Sequence, residues 1–416
     1  MSFVNRTMTV LTAGLGGVTA GLVLSSREIT DSLIDPAASL SSVAGIDSGV
    51  VAMAVVAVVA VSILGRVSSA RIPVAMAALI VLAVDVPLDG LPGWISPVAA
   101  GALVGALAAE RTDAVSLQGA LVLGLLGGGL FGSRLYDVLV MGAINGSDSV
   151  IIGYDPFGEA ESTRDVIFLV LVCLAAAALI ASRIVNGPDA IDTPGSAVAV
   201  AVGIGLPIVG STVGWASTAY RSEDVVWYLC LVGLAVAALV AALILPGRNG
   251  SVVLALFATT GAALGSGRWV GVSAIQLGLV IALFVAGGVL GARIPQVYVG
   301  LALLLATALS ALLIGPSTGT ASGVAGMYLL PFAAAYTVVA VLPVGREPLV
   351  VAMFVPFTLT VSVTMSFGYT GGAGYVFTES FVGSSNPSRT VLSLCGVLVV
   401  LFCAGGIALL RRREPA

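Results

Sequence analysis

The sequence predicts an all-α polytopic membrane protein with about fourteen transmembrane helices, arranged as two six-helix pseudo-repeats with two helices between them. Of its 416 residues, 58% are hydrophobic and only 9% are charged, whereas a soluble protein carries about 25% charged residues. Such a chain cannot cover itself with a water-compatible surface, so lipid must surround most of it. A short sequence that occurs twice supplies the argument for the pseudo-repeats.

The apolar segments give the helix count. A membrane helix needs about 20 mostly apolar residues, and several segments here are short or glycine-rich, so the count ranges from twelve to fourteen. The weakest are 72–88, 94–109 and 250–266. The fourteen candidates are 8–26, 48–66, 72–88, 94–109, 117–136, 165–184, 195–215, 225–246, 250–266, 270–291, 296–315, 322–343, 348–368 and 390–410.

The repeated sequence is Ala-Arg-Ile-Pro, at Ala70–Pro73 and again at Ala292–Pro295. Each copy follows a glycine-containing apolar helix and precedes another long apolar run. The two copies lie roughly half the chain apart. A repeat at the same place in two hydrophobic hairpins indicates internal duplication, which is the architecture of many secondary transporters.

The arginines set the expected orientation. All 17 basic residues are arginine, and eleven of them fall on one side when the helices alternate from a cytoplasmic N-terminus. The positive-inside rule then places both termini and both Ala-Arg-Ile-Pro turns in the cytoplasm. Three longer outer segments are expected, at Arg27–Asp47, Asp137–Arg164 and Tyr369–Arg389. High Ala, Gly, Val and Arg without Lys favours a bacterium, and hence a bacterial plasma membrane.

Composition excludes several kinds of chemistry. The chain has no histidine, and its four cysteines form no CxxC pair, so we expect no metal and no cofactor. A net charge of −4, with no basic patch beyond the last few residues, also argues against a nucleic-acid partner.

The first turn reads Leu64-Gly65-Arg66-Val67-Ser68-Ser69-Ala70-Arg71-Ile72-Pro73, and it resembles a signature of the major facilitator superfamily. Gly65 matches the leading glycine of that signature, and Arg71 matches one basic position, while the family's aspartate is missing. The 6+2+6 helix pattern is similar to the fourteen-helix drug:proton antiporter branch. The resemblance implies bundles at 1–184 and 250–416, joined by two linker helices at 185–249.

Five residues at the two turns are candidate gating residues: Gly65, Arg66, Arg71, Gly291 and Arg293. Arginine can bridge to a carboxylate or a helix C-terminus of the neighbouring bundle in one state and release it in the other. The alternative is that these arginines only anchor the topology.

Four charged residues are candidates for coupling or substrate binding. Arg27, Glu28 and Asp31 lie at the outer end of the first helix, where they share a face if the helix continues. Asp85 is the one carboxylate embedded in a predicted helix, and burial favours the protonated form of a carboxyl group. The alternatives are a solvated loop for the first three residues and an interfacial position for Asp85.

Three polar residues are candidates in the second half. Gln276 is expected deep within its helix, and Tyr328 and Tyr336 add hydroxyl groups to a later helix. A cavity lined by such residues suits an amphipathic substrate, although hydroxyl groups also bridge helices structurally.

These features predict a secondary transporter, not an enzyme, that moves an amphipathic or hydrophobic small molecule or lipid by alternating access. Two alternatives stay open. One is a non-transporting scaffold on a degenerate transporter fold. The other is a polytopic glycosyltransferase that uses a lipid-linked sugar, with a carboxylate such as Glu28 as general base. The expected partners are membrane lipid, a small amphipathic substrate and a second protein in the membrane.

Overall fold

Within lipid, a helix forms the backbone hydrogen bonds of an apolar segment inside that segment. The computed structural model shows helices throughout the described chain. It describes thirteen helices, all in segments that the hydropathy pattern predicts. The fourteenth predicted helix, 348–368, lies outside the described residues. These residues are 3–34, 39–85, 94–109, 115–146, 156–186, 197–219, 224–245, 249–264, 273–314, 325–342 and 389–412.

The helices fall into three consecutive groups along the chain. The first six are α1 (Phe3–Ile34), α2 (Ser39–Leu64), α3 (Arg71–Asp85), α4 (Ile95–Ala108), α5 (Val115–Gly146) and α6 (Pro156–Asn186). Two more are α7 (Ala197–Ala219) and α8 (Asp224–Ile244). The last five are α9 (Asn249–Leu264), α10 (Ala274–Arg293), α11 (Val297–Ile314), α12 (a π turn at Ala325–Leu329 followed by an α-helix at Leu330–Ala340) and α13 (Arg389–Arg412).

Two predicted loops are wrong in extent. The expected outer segment Arg27–Asp47 is mostly helical, because α1 continues to Ile34 and α2 begins at Ser39. The segment Asp137–Arg164 is likewise shortened by α5 and α6. Hydropathy marks where a helix leaves the apolar layer, but the backbone hydrogen bonds of the helix can continue into water.

The contacts between helices repeat in the two halves. In the first half, α4 packs against α1, α2 and α3, and α6 packs against α1 and α3. In the second half, α12 packs against α9, α10 and α11, and α13 packs against α9 and α11. The same set of neighbours therefore recurs when α9–α12 are matched to α1–α4 and α13 to α6.

Two of the three helices predicted least strongly, α4 and α9, each lie at the centre of one half. Nearly every described residue of α4 and α9 is buried, including Val104 and Phe257. A helix that is hydrophobic all round has no solvent-facing side. The absence of an amphipathic stripe in these two segments therefore reflects their central position.

Glycines bring the two long helices α1 and α5 into backbone contact. A Cβ atom added at Gly17 would meet the carbonyl oxygen of Leu121, and one added at Gly128 would meet that of Val18. Gly21 and Gly124 are blocked in the same way. Small residues at a spacing of four on both helices allow this close approach, and it joins α1 and α5 into one unit.

Helices α7 and α8 connect the halves at their side. Helix α7 packs against α2, α8 packs against α9 and α13, and the two pack against each other.

Candidate functional site

The first Ala-Arg-Ile-Pro turn closes the end of α2. Arg71 begins α3, and its side chain is only 4% exposed. Its Nε donates to the carbonyl oxygen of Leu64 at 2.9 Å, and its Nη2 lies 3.5 Å from that of Gly65. A cation at a helix C-terminus satisfies unpaired carbonyl groups and complements the helix dipole. Arg66, in the same turn, is exposed.

At the second turn, a different side chain bonds a carbonyl oxygen at the helix end. Arg293 is the last residue of α10 and is exposed. The carbonyl oxygen of Ile294, just past the helix end, accepts a hydrogen bond of 2.7 Å from Tyr336 Oη on α12. Gly291 allows this approach, because a Cβ atom there would lie 2.5 Å from the Tyr336 carbonyl oxygen. A tyrosine from α12 thus bonds the chain at the end of α10, whereas an arginine of the turn itself bonds the end of α2.

The candidate residues at the opposite ends of the helices are only partly described. Arg27, Glu28 and Asp31 all lie within α1, so the helix does continue through them, but their side chains lie outside the described part of the structure. Asp85 ends α3, and its carboxylate accepts a hydrogen bond from the buried hydroxyl of Ser96, near the start of α4. Asp85 therefore joins the ends of two helices, and a role in coupling stays a prediction.

The expectation that Gln276 lies deep within its helix is wrong. Ser273 is the N-cap of α10, and the side chains of Ser273 and Gln276 bond each other's backbone amides at 3.3 and 2.9 Å. This capping box places Gln276 in the exposed first turn. Tyr328 lies half-buried in the π turn of α12, whereas Tyr336 is buried.

A seam between the two halves runs along α5. Within the described residues, α5 contacts α10, and its face at positions 119, 123, 127 and 131 carries the contacts that join the halves. Residues four apart lie on one side of a helix. The seam is therefore a single stripe of α5 about three turns long.

Glycines and aromatic rings build the seam. Gly288 of α10 faces the Leu123 side chain, and a Cβ atom added there would overlap it. The ring of Phe284 lies 3.4 Å from a Cβ atom built on Gly127. It also meets Phe131 edge to face, with ring centroids 5.3 Å apart and planes at 88°.

At one end of the seam, a Cβ atom built on Gly119 would lie 3.5 Å from the side chain of Leu342, just past the end of α12, and 3.8 Å from that of Val339, within α12. The contacts described for the seam are therefore apolar. Such a surface can part and re-form without breaking an ion pair or a buried hydrogen bond at those contacts. Sequence reasoning missed Leu123, Phe131, Phe284 and Gly288, although the spacing of four in Gly119, Leu123, Gly127 and Phe131 was a visible signal.

Within the part of the chain that the structure describes, no group of three or more His, Cys, Asp or Glu side chains could hold a metal ion. By length and hydropathy alone, two described segments, Ala274–Arg293 and Ser393–Arg412, could cross a membrane, and ten shorter described helical segments are also apolar.

Two solved structures share this fold. One is an auto-inhibited POT family peptide transporter, with a TM-score of 0.53, 12% identity and coverage of 99% of this chain and 98% of that chain. The other is the POT family transporter PepTSo, with a TM-score of 0.54, 11% identity and coverage of 100% and 99%. No family model and no curated protein sequence matches the chain.

The likeness at these identities shows the fold. The predicted all-α fold is confirmed: the described chain is helical and has the fold of these two POT family transporter structures. The fourteen-helix drug:proton antiporter branch stays a prediction.

Proposed function

We propose that this chain, which has the fold of the POT family transporters, is a secondary transporter that works by alternating access. The observation that carries the proposal is the apolar seam on α5, the described contact between two halves with matching internal packing. Two rigid bundles that meet along one apolar stripe can separate there and close again as they rock. The seam is the surface that opens and closes.

The proposed moving units are the bundles at 1–184 and 250–416, with 185–249 as the linker. The repeated neighbours of α4 and α12 support this division. The linker helices support it as well, since α7 packs against the first half and α8 against the second. A hinge between α7 and α8 would let the bundles tilt while both remain attached.

The proposed substrate is an amphipathic or hydrophobic small molecule, or a lipid. Among the described residues, Arg71 is the one charged side chain that is buried. Buried hydroxyls are mostly bound to carbonyl oxygens of their own helices, as in Thr19, Thr307 and Thr337. Among the described residues, few polar groups therefore remain to replace the water around a hydrophilic substrate. The driving force would be an ion gradient or the gradient of the substrate.

We further propose that both termini face the cytoplasm of a bacterium. The described arginines at helix ends support this orientation. Arg66, Arg71 and Arg293 lie at the two Ala-Arg-Ile-Pro turns, and Arg411 and Arg412 end α13. Arg411 contacts Tyr298 near the start of α11, which places the end of α13 beside the second turn.

A reversible cross-link across the seam tests the proposal. A Cβ atom at Gly288 lies 3.4 Å from Leu123 Cγ, which suits a disulfide between Leu123→Cys and Gly288→Cys in a variant freed of native cysteines. In liposomes, oxidation should stop the flux of a fluorescent amphiphile, and a reductant should restore it.

The matched control is a disulfide within one half. Gly14→Cys and Ala120→Cys join α1 to α5, where a Cβ atom at Gly14 lies 3.9 Å from Ala120 Cβ, a distance that a disulfide spans. This cross-link should leave flux unchanged. Flux that continues through the oxidised seam variant would contradict alternating access. No flux from the folded, cysteine-free protein with any amphiphile tested, with or without a pH gradient, would favour the scaffold.

A further inference from the structure

The two Ala-Arg-Ile-Pro copies differ in what their arginines do. In the first half, the Arg71 side chain is buried and closes α2. In the second half, the Tyr336 hydroxyl bonds the chain at the end of α10, and Arg293 stays exposed. The end of α10 is therefore bonded by Tyr336, and the Arg293 side chain remains exposed.

Two further arginines join Arg293 at that end of the second half. Arg411 and Arg412 are the last residues of α13, and both are exposed. The guanidinium carbon of Arg411 lies 5.1 Å from the ring centroid of Tyr298. Three residues separate the end of α10 from the start of α11, so the contact of Arg411 with Tyr298 places the end of α13 at the same end of the bundle as Arg293.

This surface is positive without a described counter-charge. The described segments 249–264, 273–314, 325–342 and 389–412 contain no Asp or Glu. Arg293, Arg411 and Arg412 accordingly form no ion pair within them. A guanidinium group stacked on a ring keeps its in-plane N–H donors available, and its fork matches two phosphate oxygens.

Exposed apolar residues lie close in sequence to the arginines. Leu290 and Ile294 flank Arg293 and are 40% and 51% exposed, and Leu409, near Arg411, is 44% exposed. Tyr298 is half exposed. A charged group at the helix ends, with exposed apolar helix faces below it, matches the headgroup and acyl chains of one phospholipid molecule.

We propose that Arg293, Arg411, Arg412 and Tyr298 form a binding site for the phosphate headgroup of an anionic phospholipid at the end of the second half. The site does not rest on transport. It also explains why the two halves differ in their exposed arginines. In the first half, the matching residue Arg71 is buried at the end of α2, and only Arg66 is exposed in the described part of that turn.

The test is lipid binding measured by native mass spectrometry. The full-length protein is purified in detergent and titrated with phosphatidylglycerol and, separately, with phosphatidylcholine. We expect preferential retention of phosphatidylglycerol, and a loss of about fivefold in apparent affinity for each arginine removed in R293Q, R411Q and R412Q. Arg66→Gln, an exposed arginine at the corresponding turn, is the matched control and should change the preference little.

Further experiments distinguish the contribution of the Tyr298 ring from that of the arginine charges, and binding of a phospholipid from binding of free phosphate. Tyr298→Phe should keep the affinity and Tyr298→Leu should lower it, because the ring orients Arg411. Equal lipid preference in the wild type and the folded triple variant would overturn the proposal. Competition by inorganic phosphate at the same concentration as the lipid would overturn the lipid assignment, since the site would then bind a free anion. Circular dichroism confirms that each variant is folded.

Discussion

Replacing Arg71 by methionine should destabilise the protein, whereas the same change at Arg293 should not. Arg71 is buried and donates to two carbonyl groups, of which the contact with Leu64 at 2.9 Å has normal hydrogen-bond length. A hydrogen bond from a charged donor contributes about 1.5–3 kcal/mol, and its loss leaves the acceptor unpaired. Because the second contact is 3.5 Å long, we count only the first.

The expected loss for Arg71→Met is therefore about 1.5–3 kcal/mol in the free energy of unfolding. Arg293→Met should change it by less than about 0.5 kcal/mol, as is usual for exposed side chains. Unfolding by titration with sodium dodecyl sulfate, followed by circular dichroism, measures both. Equal stability of the two variants would refute the argument that the repeated arginines have different roles, as would a larger loss at Arg293.

Three further predictions concern the packing. Gly288→Leu should overlap Leu123 and prevent closure of the seam, at a cost of about 1–3 kcal/mol in the free energy of unfolding. A cysteine introduced at Gly119 should then be labelled faster by a maleimide. The control is Gly278→Leu, where the structure leaves open space, and equal labelling rates in the two variants would contradict the seam. Tyr336→Phe should lower stability by about 0.5–1.5 kcal/mol in the detergent titration, because it removes the bond to Ile294, and Tyr298→Phe should not. Gly124→Val should abolish the folded monomer in size-exclusion chromatography, because the added side chain meets the backbone of α1, whereas Gly405→Val, with nothing within 4 Å, should elute like the wild type.

Hydropathy was enough to place the helices, because a membrane leaves the backbone few alternatives to a helix. It did not give their ends. The outer part of α1, from Arg27 to Ile34, is helical although its polar residues suggest a loop. Helices α4 and α9 looked marginal by length, yet nearly all of their described residues are buried, including Ser96 and Thr260 among mostly apolar neighbours.

The roles of the site residues depend on tertiary contacts that local sequence does not contain. The same four residues contain a buried arginine in one turn and an exposed one in the other. Tyr336, which bonds the second turn, lies 42 positions beyond Ile294. Gln276 looked like a buried polar group because it lies in an apolar run. It instead pairs with the N-cap residue Ser273, three residues earlier, in a capping box. The spacing of four on α5 was visible in the sequence, but nothing local identified α10 as its partner.

The glycine contacts between α1 and α5 have a mechanical consequence. Their backbones touch at Gly17, Gly21, Gly124 and Gly128, so the two helices form one stiff lever, and α5 carries the seam. Helix α5 has 32 residues, a length of about 48 Å, so a tilt of about 10° around its middle moves each end by about 4 Å. Because Gly17 meets Gly124 and Gly21 meets Gly128, the two helices run in the same direction, and Arg27, Glu28 and Asp31 lie at the same end of the lever as Phe131. A separation of Phe131 from Phe284 would therefore move that end of α1 together with α5.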